Sequence, residues 1–282
     1  MKLEVQSVNK TYKDKEALSN VSIIFKEQTI YGLLGRNGAG KSTLLNIINN
    51  RSFPSSGDIL LDNTRVTDNE ELLNHVYLMS EDNLFPSSMK VKEMFKISEE
   101  FYGSFDWDLA NRLTDLFELN QKTTFKKLST GYRSIAKLIT ALCVPCDYIF
   151  LDEPVLGLDA GHRELFYESL IETFENRPRT FIISTHLIEE ITNLLESVII
   201  LDQGEVTLQK DVETILQENY TLSGPRDIIS DFTKDLNIIG KEELGDFVSV
   251  HVSGISPETL PTGVRLAPLS LQNYFVQLTK RK

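Results

Sequence analysis

Short apolar runs with β character open the chain: "LEVQSV", "VSIIF" and "TIYGLL". Apolar periods of two and of three to four residues then alternate. A helix begins at Lys41, followed by strand "GDILLD", helix "NEELLN" and strand "VYLM". Two helical patterns come next, "VKEMFKISEEFY" and "WDLANRLTDLFEL", the second with Leu109, Leu113, Leu116 and Phe117 on one face. A helix from about Gly131 leads to strand "DYIFLD", helix "GHRELFYESLIETF", strand "TFIIST", helix "LIEEITNLL" and strand "SVIILD". The turn "DQG" joins that strand to "EVTLQ" as a hairpin. Strand–helix alternation predicts an α/β fold with a mostly parallel sheet. The helical patterns at about 84–128 form an inserted subdomain. Past Tyr220 the pattern changes: "GPRDIISDFTKDLNII" reads as helix, "DFVSVHVSG" alternates, and "SLQNYFVQLT" is helical again. The expected organisation is one large domain over 1–215 and a small C-terminal α+β tail over 220–282.

Composition narrows the function. The 282 residues are 41% hydrophobic, enough for a substantial core, and the net charge is −12. That charge argues against a broad nucleic-acid footprint or direct adhesion to anionic lipid, so no nucleic-acid partner is expected. No apolar run approaches the ~18–20 residues of a membrane span, and "MKLEVQSVNK" lacks a signal-peptide core. The expected location is cytoplasmic, with any membrane role exerted through a partner. Cys143 and Cys146 form one C-x-x-C in "ALCVPCDYIF", without the second half of a zinc site. They read as small apolar residues in a helix-to-strand connection. The four histidines are scattered and form no zinc-type cluster.

The chemistry concentrates in three stretches. "GRNGAGKST" runs Gly35, Arg36, Asn37, Gly38, Ala39, Gly40, Lys41, Ser42, Thr43, after an apolar strand and at the start of a helix. This is the phosphate-loop pattern: glycines let successive N–H groups face a phosphate, and the helix N-terminus adds positive potential. Lys41 reaches the outer phosphates and the Ser42 hydroxyl ligates Mg²⁺. In "YIFLDEP" the apolar strand ends at Asp152, at the sheet edge where such folds bind ligands. Asp152 is the expected Mg²⁺ partner, and Glu153 the candidate general base. In "KKLSTGYRS", Ser129, Thr130 and Gly131 open a second helix whose free amides attract an anion.

These residues, with "GLD" and "STH", resemble the ATP-binding subunits of ABC transporters over about residues 1–215. The resemblance implies a P-loop ABC ATPase core with an antiparallel β subdomain and a helical subdomain. It also implies ATP and Mg²⁺ sandwiched between two nucleotide-binding subunits, identical or different. Ser129–Gly131 would then meet the γ-phosphate of ATP held by the partner chain. By the same resemblance Tyr12 stacks on adenine, Asp159 communicates across the dimer, and His186 contacts the γ-phosphate. Two departures stand out. Thr130 and Tyr132 replace residues of the family's usual L-S-G-G-Q, and Ser80 occupies the place of its Mg²⁺-ligating Gln. Ser80 is still expected to ligate Mg²⁺, through its hydroxyl or a water and at a shorter reach, and Glu81 next to it could substitute by a small shift of the loop.

The implied function is the motor of a transporter whose integral membrane permease is a separate subunit gripped by the helical subdomain. Among such systems the single ATPase domain and short tail look most like bacterial ABC-2-type exporter subunits. The competing reading is a soluble ABC-type ATPase of DNA repair, chromosome organisation, translation or iron–sulfur assembly. The stretch between Ser42 and Leu128 has no room for the long coiled coil of the chromosome type, and translation factors usually carry two such domains.

Overall fold

The computed structural model describes residues 1–254, 256–257 and 259–280. The chain starts with β1 (Leu3–Tyr12), β2 (Lys15–Phe25) and β3 (Ile30–Leu34), then α1 (Lys41–Ile48), β4 (Ser56–Leu61), β5 (Thr64–Arg65), α2 (Glu70–Leu73) and β6 (Val76–Met79). Helices α3 (Val91–Tyr102), α4 (Trp107–Leu116) and α5 (Thr130–Cys143) precede β7 (Tyr148–Asp152). Next come α6 (Ala160–Asn176), β8 (Thr180–Ser184), α7 (Ile188–Ile191), β9 (Ser197–Asp202), β10 (Glu205–Asp211) and α8 (Val212–Glu218). The tail adds β11 (Asn219–Pro225), α9 (Arg226–Phe232), β12 (Ile238–Leu244), β13 (Phe247–Ser253), β14 (Arg265–Pro268) and α10 (Leu271–Leu278).

The central sheet has the order β10-β9-β3-β8-β7-β6. Strands β6, β7, β8, β3 and β9 pair in parallel, and β10 closes the edge as the expected hairpin. Every residue of β3, β6, β7 and β8 is buried, which explains why these strands read as unbroken apolar runs. Alternate side chains serve two cores. Ile149 and Leu151 of β7 face the helical side, whereas Tyr148 and Phe150 face the antiparallel sheet β2-β1-β4-β5 and α1.

The helical side holds α3, α4 and α5. On α4 the buried residues are Ala110, Leu113 and Thr114, with Phe117 just beyond, while Leu116 is 43% exposed. The apolar stripe is thus turned slightly from the expected one. Helix α5 is sunk deepest: Ser134 to Cys143 are all buried, Lys137 among them. "LIEEITNLL" is shorter than a regular helix, because α7 tightens into a 3-10 turn at Thr192–Leu194.

The tail is α+β as expected, but "GPRDIISDFTKDLNII" divides differently. Gly224 and Pro225 end β11, α9 is two turns long, and "NII" enters β12. The sheet β12-β13-β11-β14 has its own core of Tyr220, Leu222, Ile229, Val248, Val250 and Val252 on the α9 side. Helix α10 returns to the main body, where Leu271 and Tyr274 join the large core alongside Val212 and Ile215.

Cys143 ends α5 and Cys146 precedes β7; both thiols are free and buried. Beside them Arg179, 3% exposed, donates to the carbonyls of Leu142 and Val144 and so satisfies the orphan end of α5. Burial pushes the Cys143 thiol up, and the Cys146 thiol up to about 12. The thiolate is the reactive species. A water-soluble maleimide should therefore leave the folded chain unlabelled at pH 7.5 and modify both thiols in urea. Stoichiometric labelling of the native chain by mass spectrometry would contradict this packing.

Candidate active site

Strand β8 lies between β3 and β7, so the loops after these three strands emerge side by side at one sheet edge. After β3 the chain folds into the phosphate loop, with Ala39 N donating to Arg36 O at 3.0 Å. Gly40 caps α1 with φ +110°, a conformation that L side chains rarely adopt. A Cβ there would also stand 2.7 Å from the Ala17 carbonyl oxygen. Lys41 Nζ donates to Gly35 O at 2.7 Å, so the ammonium is folded against its own loop. Burial lowers its pKa, opposed by the charges of Glu153 and Asp152.

Asn37, Gly38, Gly40, Lys41, Ser42 and Thr43 line a cavity of about 420 Å³. Its other walls are Tyr12, Lys15, Ala17, Glu81, Asp152 and Glu153. Gly35 and Arg36 contribute carbonyls to Lys41, and Ala39 is buried beneath the loop. Tyr12, at the β1–β2 turn, is half-exposed with Lys10 Nζ 4.8 Å above its ring.

Asp152 ends β7 and is nearly buried. Glu153 follows with φ +47°, an uncommon left-handed backbone for a residue with a side chain. Its N–H donates to Ser184 O of β8 at 2.8 Å, which fixes the bend. The bend sets Glu153 Oε2 2.9 Å from His186 Nδ1, from the loop after β8. The Ser184 hydroxyl, on the register partner of Asp152, is buried with no hydrogen-bond partner among the described residues.

The residues with oxygen donors here are Ser42, Thr43, Tyr12 and Asn37 and the acids Asp152, Glu153 and Glu81. That set suits a hard cation. Among the described residues no three His, Cys, Asp or Glu side chains are gathered closely enough to hold a metal by themselves. The donors therefore fit Mg²⁺ as such enzymes usually hold it, through a few protein oxygens plus substrate phosphates. Ser80 does not reach this cavity: its hydroxyl accepts from Arg51 Nη1 at 2.9 Å. The residue beside it, Glu81, does line the cavity.

Ser129, Thr130, Gly131 and Asp159 do not line the cavity either. Ser129 caps α5, its Oγ accepting from Tyr132 N at 3.2 Å, and Ser129 and Thr130 face solvent. Gly131 is there for close approach, since a Cβ on it would come 2.6 Å from Gly157 O. Asp159 caps α6, accepting from His162 N at 2.9 Å and pairing with His162 Nδ1 at 2.9 Å. The His162 backbone bond holds its carboxyl below the usual range. The expected residues thus fall into two groups, one around the cavity and one displayed outside it. Lys15 was not anticipated; its only signal is a position three residues past Tyr12 across a tight turn.

A parallel sheet with a phosphate loop, two strand-end carboxylates and a histidine at one edge defines a P-loop nucleotide hydrolase. Comparison with known proteins makes this specific. The ABC transporter family profile matches residues 18–156. The chain is 26% identical over 241 residues to the ABC transporter ATP-binding protein YtrB of Bacillus subtilis, covering 86% of this chain and 80% of that one. It is 29% identical to the Nod factor export ATP-binding protein I of Burkholderia orbicola, covering 99% and 97%. A dimeric ATP-binding cassette in a post-hydrolysis state bound to ADP and Pi superposes with a TM-score of 0.66 at 25% identity, over 74% of this chain and 98% of that one. The chain belongs to the family of ABC transporter ATP-binding subunits, ATPases whose hydrolysis powers transport.

The Gly131–Gly157 approach is testable. Gly131→Ala should lower unfolding stability by about 1–3 kcal/mol, the usual cost of overpacking against backbone. Urea denaturation measures it. ATP-analogue binding to the isolated chain should persist, because Gly131 does not line the chain's own cavity; a stable Gly131→Ala would contradict the contact.

Proposed function

We propose that this chain is the motor subunit of an exporter whose membrane-spanning part is a separate permease, and that two ATP-binding subunits enclose ATP between them. The observation that carries it is the division of the site: Ser129 and Thr130, exposed at the start of α5, do not line the chain's own cavity, which fits two faces of a shared site. In this reading Tyr12 stacks on the base, residues 35–43 cradle the phosphates, and Lys41 exchanges the Gly35 carbonyl for phosphate oxygen. Ser129, Thr130 and Gly131 present α5's free amides to the partner's γ-phosphate, and Asp159 lies at the seam. Ser42 and Asp152 would hold Mg²⁺, which supplies charge neutralisation across the outer phosphates. Glu153 takes the proton of the attacking water as its oxygen bonds to the γ-phosphorus and ADP departs. His186 orients Glu153 through the 2.9 Å contact and faces the same phosphate.

The permease has a fitting surface. A second groove, about 430 Å³, opens beside the cavity between the segment after β6 and α3. Its walls include Met79, Phe85, Pro86, Met89 and Ile97, and Leu84 and Phe101 on its rim are 62% and 72% exposed. Exposed apolar side chains gathered around a groove mark a protein contact. No helix among the described residues is long and apolar enough to cross a membrane; in this reading the groove is where the motor meets the permease. Export follows the relative aligned over 99% of this chain, itself an export ATP-binding protein.

Lys41→Ala should weaken ATP binding about 10- to 150-fold, through loss of a charge-assisted contact of about 1.5–3 kcal/mol. Unchanged affinity for a fluorescent ATP analogue would refute the phosphate-loop assignment. Glu153→Gln should keep binding but slow turnover by about 10²–10⁴, the usual worth of a general base. With discharge blocked, ATP should then convert the monomer peak to a dimer on size exclusion. Normal hydrolysis by this variant would place the base elsewhere.

A further inference from the structure

The loop from Glu153 to Asp159 is stitched to the start of α5. Ser134 Oγ donates to the Leu156 carbonyl at 3.0 Å. Gly131 meets the Gly157 carbonyl so closely that a Cβ would stand 2.6 Å from it. His162, in the first turn of α6, adds a third tie. Its Nδ1 lies 2.9 Å from Asp159 Oδ2. An ionised carboxylate only accepts, so the imidazole donates from Nδ1. The same ring stacks on Phe117, just past α4, with centroids 6.1 Å apart and planes 18° from parallel. It meets Tyr132 of α5 edge-on at 5.9 Å.

A histidine beside an aspartate in a first helical turn commonly does no more than close the cap. Here the cap is already made by the His162 backbone N–H, a bond that any residue but proline would keep. The ring contacts need the side chain itself. Phe117, Tyr132, Asp159 and His162 all lie outside the chain's own cavity. We propose that His162 is a positioning residue for the shared site: it fixes the start of α5, through Tyr132, against Asp159, so that Ser129–Gly131 and Asp159 reach the neighbouring chain as one rigid face. Segments left free to wander would have to be ordered on association, and that ordering is subtracted from the affinity of the interface. The inference rests on the two-chain reading above. It also gives Tyr132, which departs from the family's usual signature, a partner within its own chain.

The test uses the full chain carrying Glu153→Gln, in which ATP should drive dimerisation. Sedimentation velocity across a range of protein concentrations gives the midpoint of dimer formation in saturating ATP. Adding His162→Ala should raise that midpoint by about tenfold, the worth of one or two aromatic contacts. Measured far below the midpoint, affinity for a fluorescent ATP analogue should match the parent, a split that general destabilisation does not produce. Tyr132→Ala should raise the midpoint as well, and the double substitution should do less than the two effects multiplied, as residues acting through one contact do. If His162→Ala unfolds the chain, as circular dichroism would report, His162→Asn keeps a donor at the Nδ1 position, loses both ring contacts and should raise the same midpoint. An unchanged midpoint, a matching loss of analogue affinity, or fully multiplicative effects of His162→Ala and Tyr132→Ala would overturn the proposal while leaving the shared site standing. Failure of the Glu153→Gln chain to dimerise in ATP at any concentration would overturn the two-chain reading, and this inference with it.

Discussion

Burial of β3, β8 and β7 on both faces governs the placement of everything else. Within these strands a charged side chain has no solvated position, and burying an unpaired charge is prohibitively expensive. Charge therefore begins where the strands end, and because the three are neighbours, their ends are neighbours too. Asp152 is the last residue of β7, Lys41 follows β3 by one tight loop, and His186 follows β8 by two residues. Even the left-handed backbone of Glu153 is held by β8, through the Ser184 carbonyl. The sheet is thus the jig that sets the chemistry, and the surrounding cores keep it rigid.

Features written in adjacent residues were legible in the sequence; those made by distant partners were not. The phosphate loop, the Asp152–Glu153 pair and the Ser129 cap depend on local spacing, and each lies on the element foreseen. The order of strands along the chain followed from the alternation of periods. Ser80 is the counter-example. Its neighbour is Arg51, from the segment after α1, and its backbone is held by Lys137, 57 positions further on. No local pattern announces either contact. The lone cation inside "IAKLITAL" was visible as an anomaly, yet only the fold says what it binds. The tail was misdivided for a similar reason: "GPRDII" has helical spacing, but β11 extends to Pro225 because β13 is there to pair with it.

The tail is also less separate than a change of sequence pattern at Tyr220 implied. Its sheet has a private core on one face, where α9 packs. Its last helix belongs to the main body's core, next to α7 and α8. Gly240 of β12 sits so close to Gln277 of α10 that a Cβ there would collide with the side-chain amide. The helix is thereby seated on both the small sheet and the ATPase core, and the two units share a boundary that contains packed side chains.

The sealed pair Cys143 and Cys146 has a practical consequence. Because both thiols are buried between the end of α5 and the start of β7, the wild-type chain offers a silent background for site-directed spectroscopy. A single cysteine introduced at an exposed position such as Leu244, 84% exposed at the β12–β13 turn, would be the sole attachment point for a dye or nitroxide. Distances between such labels on two copies could then be followed through a catalytic cycle without first stripping the native cysteines from the core.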